Sequence, residues 1–496
     1  MSAFANWVRE RPLAVFLPLQ ALMYFWNLGL LSPWFDEADQ LIYLHNTLAN
    51  SVNIAASGGH PPLYFAIIYY WMRLPIGLDW AVQARALSVL FALGATLAAD
   101  RLWARYLPDR WRLIYLSLWT FSPFLLLYSR MSRSYSFQLL AGTLAAGCLL
   151  RFLDKRTWRW GVALALSLIL TMYVHYIPGG ALVIATNLML LRRRRLRDAV
   201  TIDTAVGIAF LPWLFRLLAF LPAWGAHGGN AYALTGRVLL EIPVKLAYWA
   251  FSFVLGEAVP DVALIMGACV ILGAAWLVLA GARRRPDLLW IAGPAAIVGF
   301  IGVARWNSYP FIPARMIFVF PLFLMLLVAG AATLRGIGPA VVAAMLALSL
   351  SGIWDYFHVL GFRNKQYPMP IAEIAAKIRH ESTPRDAEVL VDSTNSDPFA
   401  MEYALGPVLR TGTPEAANTV EQWLADPQIR TVWFLRNTHD VSPEQLDRKF
   451  EQRLQSAMHE TIFEYERFTP LELRLAKAVG VQNPPQFFHE LLRFQR

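Results

Sequence analysis

"HPPLYFAIIYYWMRLPIG", residues 60–77, is the stretch whose reading decides the fold. It is apolar enough to pass for a membrane span, yet it opens on His60 and a Pro-Pro turn and closes on Arg73 and Pro75. Counting it as a span inverts the side of every later arginine cluster. Leaving it out puts those clusters on one side, as the positive-inside bias requires. Its Tyr64, Tyr69, Tyr70 and Trp71 suit the water–lipid boundary, so it reads as an amphipathic or re-entrant helix on the outer face.

Working outward from that choice, a charge walk gives eleven spans. An apolar segment crosses a bilayer in about 20 residues. Arg9 and Arg11 keep the start inside, and the run 13–31 exits. Runs at 81–100, 113–128, 135–153, 160–177, 179–191 and 200–222 follow, then 261–281, 287–304, 316–334 and 337–356. Between them lie "DRLWARYLPDRWR" (100–112), "LRRRRLR" (191–197) and "GARRRPD" (281–287), all inside. No A-x-A site follows the first run, which therefore reads as a retained anchor.

The bulk composition agrees. The chain has 496 residues, 57% of them hydrophobic and only 16% charged, against about 25% charged in an ordinary soluble domain. The net charge of +10 lies in the inter-span clusters, which is anchor chemistry and gives no sign of nucleic-acid binding. Both cysteines, Cys148 and Cys269, fall in apolar runs, so no disulfide framework or zinc spacing exists. After Phe357 the charges, prolines and threonines rise. "AEVLVDS" (387–393) and "TVWFLRN" (431–437) read as buried strands, "PIAEIAAKIRH" and "PEQLDRKFEQRLQSAM" as helices. The fold class is thus an α-helical polytopic membrane protein of about eleven transmembrane helices with a small C-terminal α/β extracytoplasmic domain. The expected division is 1–356, with outer loops 32–80 and 223–260, and 357–496.

Acids are scarce, yet "LSPWFDEADQLIYL" (31–44) places Asp36, Glu37 and Asp39 within four positions just beyond the first span. Acidic residues in a first helical turn complement the helix dipole, and Asp36 could be an N-cap. Four other outer segments carry basic or hydrogen-bonding residues. His60 precedes the Pro-Pro turn, Arg130 and Arg133 lie in "YSRMSRSYSF", His175 in "MYVHYIPGG", and Arg305 and Arg315 in "RWNSYPFIPARMIF". Each alone could snorkel to lipid phosphates. Together they suggest a site that holds an anion and also needs a base, as a sugar donor on a lipid phosphate demands.

These residues also carry a resemblance. "WFDEADQLIYL", "HPPLYFAIIYYWM", "ARALSVLFALGA", "SRMSRSYSF", Met172–Gly180 and "IPARMIFVFPLFLMLL" resemble the type C family of membrane glycosyltransferases, which use polyprenyl-phosphate-linked sugars. The bacterial relatives of dolichyl-phosphomannose protein mannosyltransferases are the nearest likeness, and the lipid A aminoarabinose transferase belongs to the same circle. The resemblance implies an inverting displacement with Asp36 as catalytic base and Glu37 beside it. It implies Arg130, Arg133, His175, Lys245 and Arg315 on the donor phosphate, with His60, Asp39 and Tyr135 toward acceptor or sugar. Lys245 lies in "EIPVKLAYWAFSFVLGEAVPD", which resembles the family's variable substrate-covering loop.

One departure bears on metal. The oligosaccharyltransferase branch has a second acidic pair in its second outer loop, where this chain reads Ser134, Tyr135, Ser136, Phe137 and Gln138. A divalent cation is therefore not favoured, although Asp39 or Glu257 could contribute to one, and no other cofactor is expected. The implied partners are the lipid-linked sugar, a glycan, glycolipid or protein acceptor, and membrane lipids. The expected place is the bacterial cytoplasmic (inner) membrane, with the active site on its extracytoplasmic face. A lipid-linked sugar transporter or flippase and a non-catalytic binding protein are the alternatives.

Overall fold

The structure is a computed structural model. It describes residues 3–38, 46–220, 236–260, 263–306, 311–383, 385–392, 397–411, 414–437, 448–478 and 486–496. Among these, seven helices are long and apolar enough to cross a membrane: Trp80–Leu102, Tyr135–Lys155, Leu196–Leu218, Ala263–Arg284, Pro286–Ala304, Pro313–Ala331 and Ile337–Phe357. Shorter apolar helices cover Leu13–Phe25, Trp158–Val174, Tyr176–Arg192 and Ile242–Leu255. The chain is a multi-pass integral membrane protein.

The chain divides into two compact units. The first comprises Met1–Leu28 and Tyr43–Arg363, the second Gly29–Ile42 and Asn364–Arg496. The sequence reading kept the 29–42 segment with the membrane part, whereas in the structure its described residues go with the C-terminal unit.

In the first unit, helices Tyr135–Lys155 and Pro313–Ala331 are the innermost, and Leu196–Leu218 and Ala263–Arg284 lie at the periphery. The peripheral helices turn Ile208, Ile265 and Leu272 outward. That is the surface lipid demands, since no water is there to reward polar groups. Inside, several polar side chains pair with one another. Trp119 Nε1 donates to Thr96 Oγ1 at 2.8 Å, and that hydroxyl donates to Gln20 Oε1 at 2.6 Å. Asp100 accepts two bonds of 2.8 Å from Arg112.

Small residues let an inner and a peripheral helix approach closely. At Gly330 a Cβ would stand 1.8 Å from the carbonyl oxygen of Leu277, and at Gly281 1.9 Å from that of Leu326. Helix Ala263–Arg284 therefore crosses Phe320–Ala331 backbone to backbone, the packing that membrane helices reach through small residues. Replacing Gly330 by Ala should force these helices apart. The expected loss is about 1–3 kcal/mol, the usual cost of overpacking, read as a lowered Tm in detergent. An unchanged Tm contradicts the crossing.

The stretch 60–77 behaves as the charge walk requires. Pro62–Trp71 is a helix of 10 residues that stops at Met72, about half the length needed to cross. Run 113–128 is two helices, Asp109–Thr120 and Pro123–Ser129, broken where the Ser122 hydroxyl caps Leu125 N–H at 3.2 Å. The expected outer loop 223–260 contains a 20-residue helix, Gly236–Leu255, in its described part. Glu241, Pro243 and Lys245 interrupt its apolar run, which is why the charge walk passed over it.

The second unit carries a five-stranded sheet in the order β2-β1-β3-β5-β4. The strands are β1 Ala387–Val391, β2 Leu409–Arg410, β3 Thr431–Asn437, β4 His459–Arg467 and β5 Phe487–Gln495. β1 pairs parallel with β2 and β3, and β5 pairs antiparallel with β3 and β4. Leu390, Val432, Phe434, Leu492 and Phe494 form one core cluster with Val420 and Leu454 from the covering helices. The two strands and the helix Ile371–Glu381 match the sequence pattern. The second expected helix is described over Arg448–Gln455, and its first residues lie outside the described set. Of "VDSTNSDP" (391–398), residues 393–396 also lie outside it.

Candidate active site

Four of the sequence-singled residues come together in the first unit. His60 follows helix Leu48–Ser57 through Gly58 and Gly59, whose φ of 79° only glycine adopts freely. Pro61 and Pro62 then start the next helix, where a missing N–H costs nothing. His175 separates helices Trp158–Val174 and Tyr176–Arg192 and caps the latter, its Nδ1 accepting from Ile177 N–H at 3.3 Å. Arg133 lies in the turn before Tyr135–Lys155. Arg315 lies in the 3₁₀ turn Pro313–Val319. That turn is fixed on the helix after Arg133, because a Cβ at Gly142 would lie 2.8 Å from Phe318 Cβ. The two innermost elements thus deliver one arginine each.

The electrostatics show how close the four are. Burial holds the His60 imidazole well below its usual range, and Arg133, His175 and Arg315 push it further. Burial likewise lowers His175 to about 3, with Arg315 and then Arg133 adding to it. Both rings are therefore neutral near pH 7. With its Nδ1 accepting, neutral His175 carries its proton on Nε2, a donor for an incoming oxygen anion. Arg315 is half-buried and has no carboxylate partner among the described residues. The cluster offers cations and neutral donors to an anion.

A pH dependence follows. Between about 3 and 6.5 the unfolded chain protonates His175 and the native state does not. Stability therefore rises with pH across that window, is fully present above it, and is lost as pH falls. His175→Asn keeps a side chain able to cap Ile177 N–H, so it should flatten the acid limb of Tm against pH. An unaltered limb contradicts the neutral imidazole.

Arg130 has another occupation. It is 2% exposed. Its Nη1 donates to the carbonyls of Trp26 at 2.6 Å, Tyr24 at 3.0 Å and Met23 at 3.3 Å, and its Nη2 to that of Asn27 at 2.6 Å. Nε donates to Tyr356 Oη at 2.9 Å. The guanidinium closes the C-terminal end of helix Leu13–Phe25, which leaves it out of the phosphate-binding set the sequence reading gave it to.

Lys245 is buried on helix Gly236–Leu255, and it is not among the charges acting on His60 or His175. Tyr135 is buried and packs edge-on to Tyr128 at 5.6 Å. The Arg305 side chain lies outside the described residues. Glu257, weighed in the sequence only as a metal ligand, is fully buried beside Gly256, whose φ is 80°. Its carboxylate accepts from the hydroxyls of Tyr128, of Tyr248 at 2.6 Å and of Ser252 at 3.0 Å. Burial raises its pKa and these bonds oppose the rise. Tyr248 and Ser252 come from the adjoining helix and Tyr128 from a distant one, and the sequence singled out none of the three.

The acidic turn belongs to the second unit. Phe35–Ala38 is one helical turn, with Asp36 half-buried and Glu37 buried. Glu37 Oε2 accepts Trp34 N–H at 3.4 Å, so the capping role falls to Glu37 rather than to Asp36. Trp34 stands edge-on to Tyr367 at 5.1 Å, and Ser32 Oγ accepts Ala372 N–H at 3.3 Å. Asp39 lies outside the described residues.

A bundle of membrane helices with an arginine–histidine cluster at helix ends and a mixed α/β unit defines a multi-pass membrane protein of mixed architecture. Its backbone resembles that of ArnT from Cupriavidus metallidurans in the apo state, with 14% identity, 99% of this chain and 98% of that chain covered, and a TM-score of 0.56. The same enzyme bound to undecaprenyl phosphate matches at 14% identity over 99% and 98% of the chains, with a TM-score of 0.52. The chain has the type C glycosyltransferase fold. No protein-family model and no curated protein matches it by sequence.

Proposed function

We propose that the protein is an inverting glycosyltransferase that moves a sugar from a polyprenyl-phosphate carrier to an acceptor hydroxyl. The acceptor is a cell-envelope glycan, glycolipid or protein, and the reaction runs at the outer face of the bacterial cytoplasmic membrane. The carrying observation is the cluster of Arg133, Arg315, His60 and His175. It occurs in a fold shared with a protein that binds undecaprenyl phosphate. The chemistry assigns each group a task. The Asp36 carboxylate takes the proton of the acceptor hydroxyl. That oxygen bonds to the anomeric carbon on the side opposite the phosphate. The bond from that carbon to the phosphate oxygen breaks, and polyprenyl phosphate leaves with the electron pair. Arg133 and Arg315 meet its growing charge, and His175 Nε2–H donates to a phosphate oxygen.

A transporter would place such charges mid-span. Here His175 caps a helix, Arg133 precedes one and Arg315 lies in a 3₁₀ turn, positions that favour the enzyme. The test uses the purified protein in nanodiscs with a polyprenyl-phosphate sugar, following release of polyprenyl phosphate. Arg315→Gln should weaken donor binding by about tenfold or more, the worth of a charge-assisted hydrogen bond. Wild-type affinity in the variant removes Arg315 from the donor site, and no release by the wild type with any acceptor class rejects the reading.

A further inference from the structure

The arginine clusters that fixed the orientation of the chain also build something the proposed reaction leaves unused. Helix Tyr135–Lys155 starts beside Arg133 and ends about 30 Å away, at 1.5 Å per residue over 21 residues. At that far end lies a cavity of about 190 Å³, many times the volume of a single water. Its charged lining comes from three links between helices and the helix ends beside them: Asp154, Arg156, Arg193, Arg195, Arg285 and Asp287.

Most of these groups have visible partners. Asp154 accepts from Tyr106 Oη at 2.5 Å, and Asp287 accepts from Arg193 Nη2 at 2.6 Å. Arg195 Nε is bound to Asp198 at 2.5 Å, and its Nη1 donates to the Phe152 carbonyl at 3.2 Å. Both lining carboxylates are thereby occupied, while Arg156 and Arg285 have no ion-pair partner among the described residues. Arg285 is half-buried. Arg156 holds a left-handed backbone, φ 50°, at a helix C-terminus where glycine ordinarily serves. Arg156 is exposed, at the mouth of the cavity. Anchoring to lipid head groups at large, or complementing helix C-termini, accounts for an exposed arginine by itself. It does not ask for a second, half-buried arginine, Arg285, lining the same cavity without an ion-pair partner among the described residues.

We propose that this cavity binds the phosphate of an anionic membrane lipid headgroup, held by Arg285 and Arg156. The chemistry is that of a phosphodiester in a pocket of excess positive charge between membrane helices. The source is a lipid, because the pocket lies at the ends of membrane helices, at headgroup depth. The site is independent of sugar transfer, and its test needs no turnover.

The full-length protein is purified in a neutral detergent and titrated with phosphatidylglycerol, phosphatidylcholine or inorganic phosphate. Tm is followed, and retained lipid is counted by native mass spectrometry. Phosphatidylglycerol should raise the Tm and remain bound, and phosphatidylcholine should do neither. The double variant Arg156→Gln/Arg285→Gln should weaken the phosphatidylglycerol response by about tenfold or more, the electrostatic worth of two arginines. The variant Arg283→Gln/Arg284→Gln, with the same charge removed from exposed neighbours outside the cavity, should keep it. Equal loss in both variants, or no loss in the first, overturns the site. An equal shift with inorganic phosphate alone overturns the lipid assignment.

Discussion

Asp36→Asn should abolish sugar transfer while leaving donor binding intact. On the reading above, the acceptor oxygen needs a base at the moment it attacks, and an amide cannot take a proton. General-base catalysis is worth about 10²–10⁴-fold, so kcat should fall by that factor. The change is nearly isosteric and removes one negative charge, so affinity for polyprenyl phosphate should hold or rise slightly. Glu37→Gln supplies the contrast. Glu37 is buried and accepts the Trp34 N–H, and Gln keeps an oxygen able to accept that bond. Its effect should therefore fall on stability more than on kcat. Single-turnover release of polyprenyl phosphate, beside donor binding by the same samples, separates the two. Unchanged turnover in Asp36→Asn removes that residue from the base role and with it the proposed mechanism.

The second large effect concerns Arg130. Arg130→Met fills much of the same volume but leaves the carbonyls of Met23, Tyr24, Trp26 and Asn27 without their donor. The site is 2% exposed, so water cannot replace the guanidinium. A charged hydrogen bond is worth about 1.5–3 kcal/mol, and several are lost together, so a loss on the order of 4 kcal/mol is expected. The Tyr356 hydroxyl also loses its partner. Arg130→Lys should recover only part of this, because one ammonium cannot span carbonyls at opposite sides of a helix end. The measurement is Tm and monodisperse yield in detergent. A variant that keeps its Tm but loses donor affinity would restore Arg130 to the phosphate, where the sequence placed it.

Why Arg130 and its neighbour Arg133 part company in the structure is instructive. Arg130 and Arg133 are three residues apart in one turn, and both precede the same long helix. Charge and spacing are identical for both. Arg130 is committed because the end of helix Leu13–Phe25, over a hundred residues earlier, arrives at it. Glu257 illustrates the same limit. Tyr128 reaches it from a helix more than a hundred residues away, while Tyr248 and Ser252 come from one face of Gly236–Leu255, and each alone looks like an ordinary apolar-segment residue. Helix Gly236–Leu255 went unseen for a different reason, since polar interruptions near Pro243 hide a helix from any window that counts apolar residues.

By itself the sequence determined that the chain crosses a membrane repeatedly, that 60–77 does not, and that a mixed α/β unit follows the last helix. Those conclusions need only local quantities, because lipid rejects unpaired backbone and charge segment by segment. It also named His60, Arg133, His175 and Arg315, since polar residues at the ends of apolar runs are visible in one dimension. Which of the polar side chains face one another, and which instead close a helix, only the tertiary structure decided. Convergence of side chains depends on how helices distant in sequence pack, through contacts such as Gly142 on Phe318 that no local pattern records.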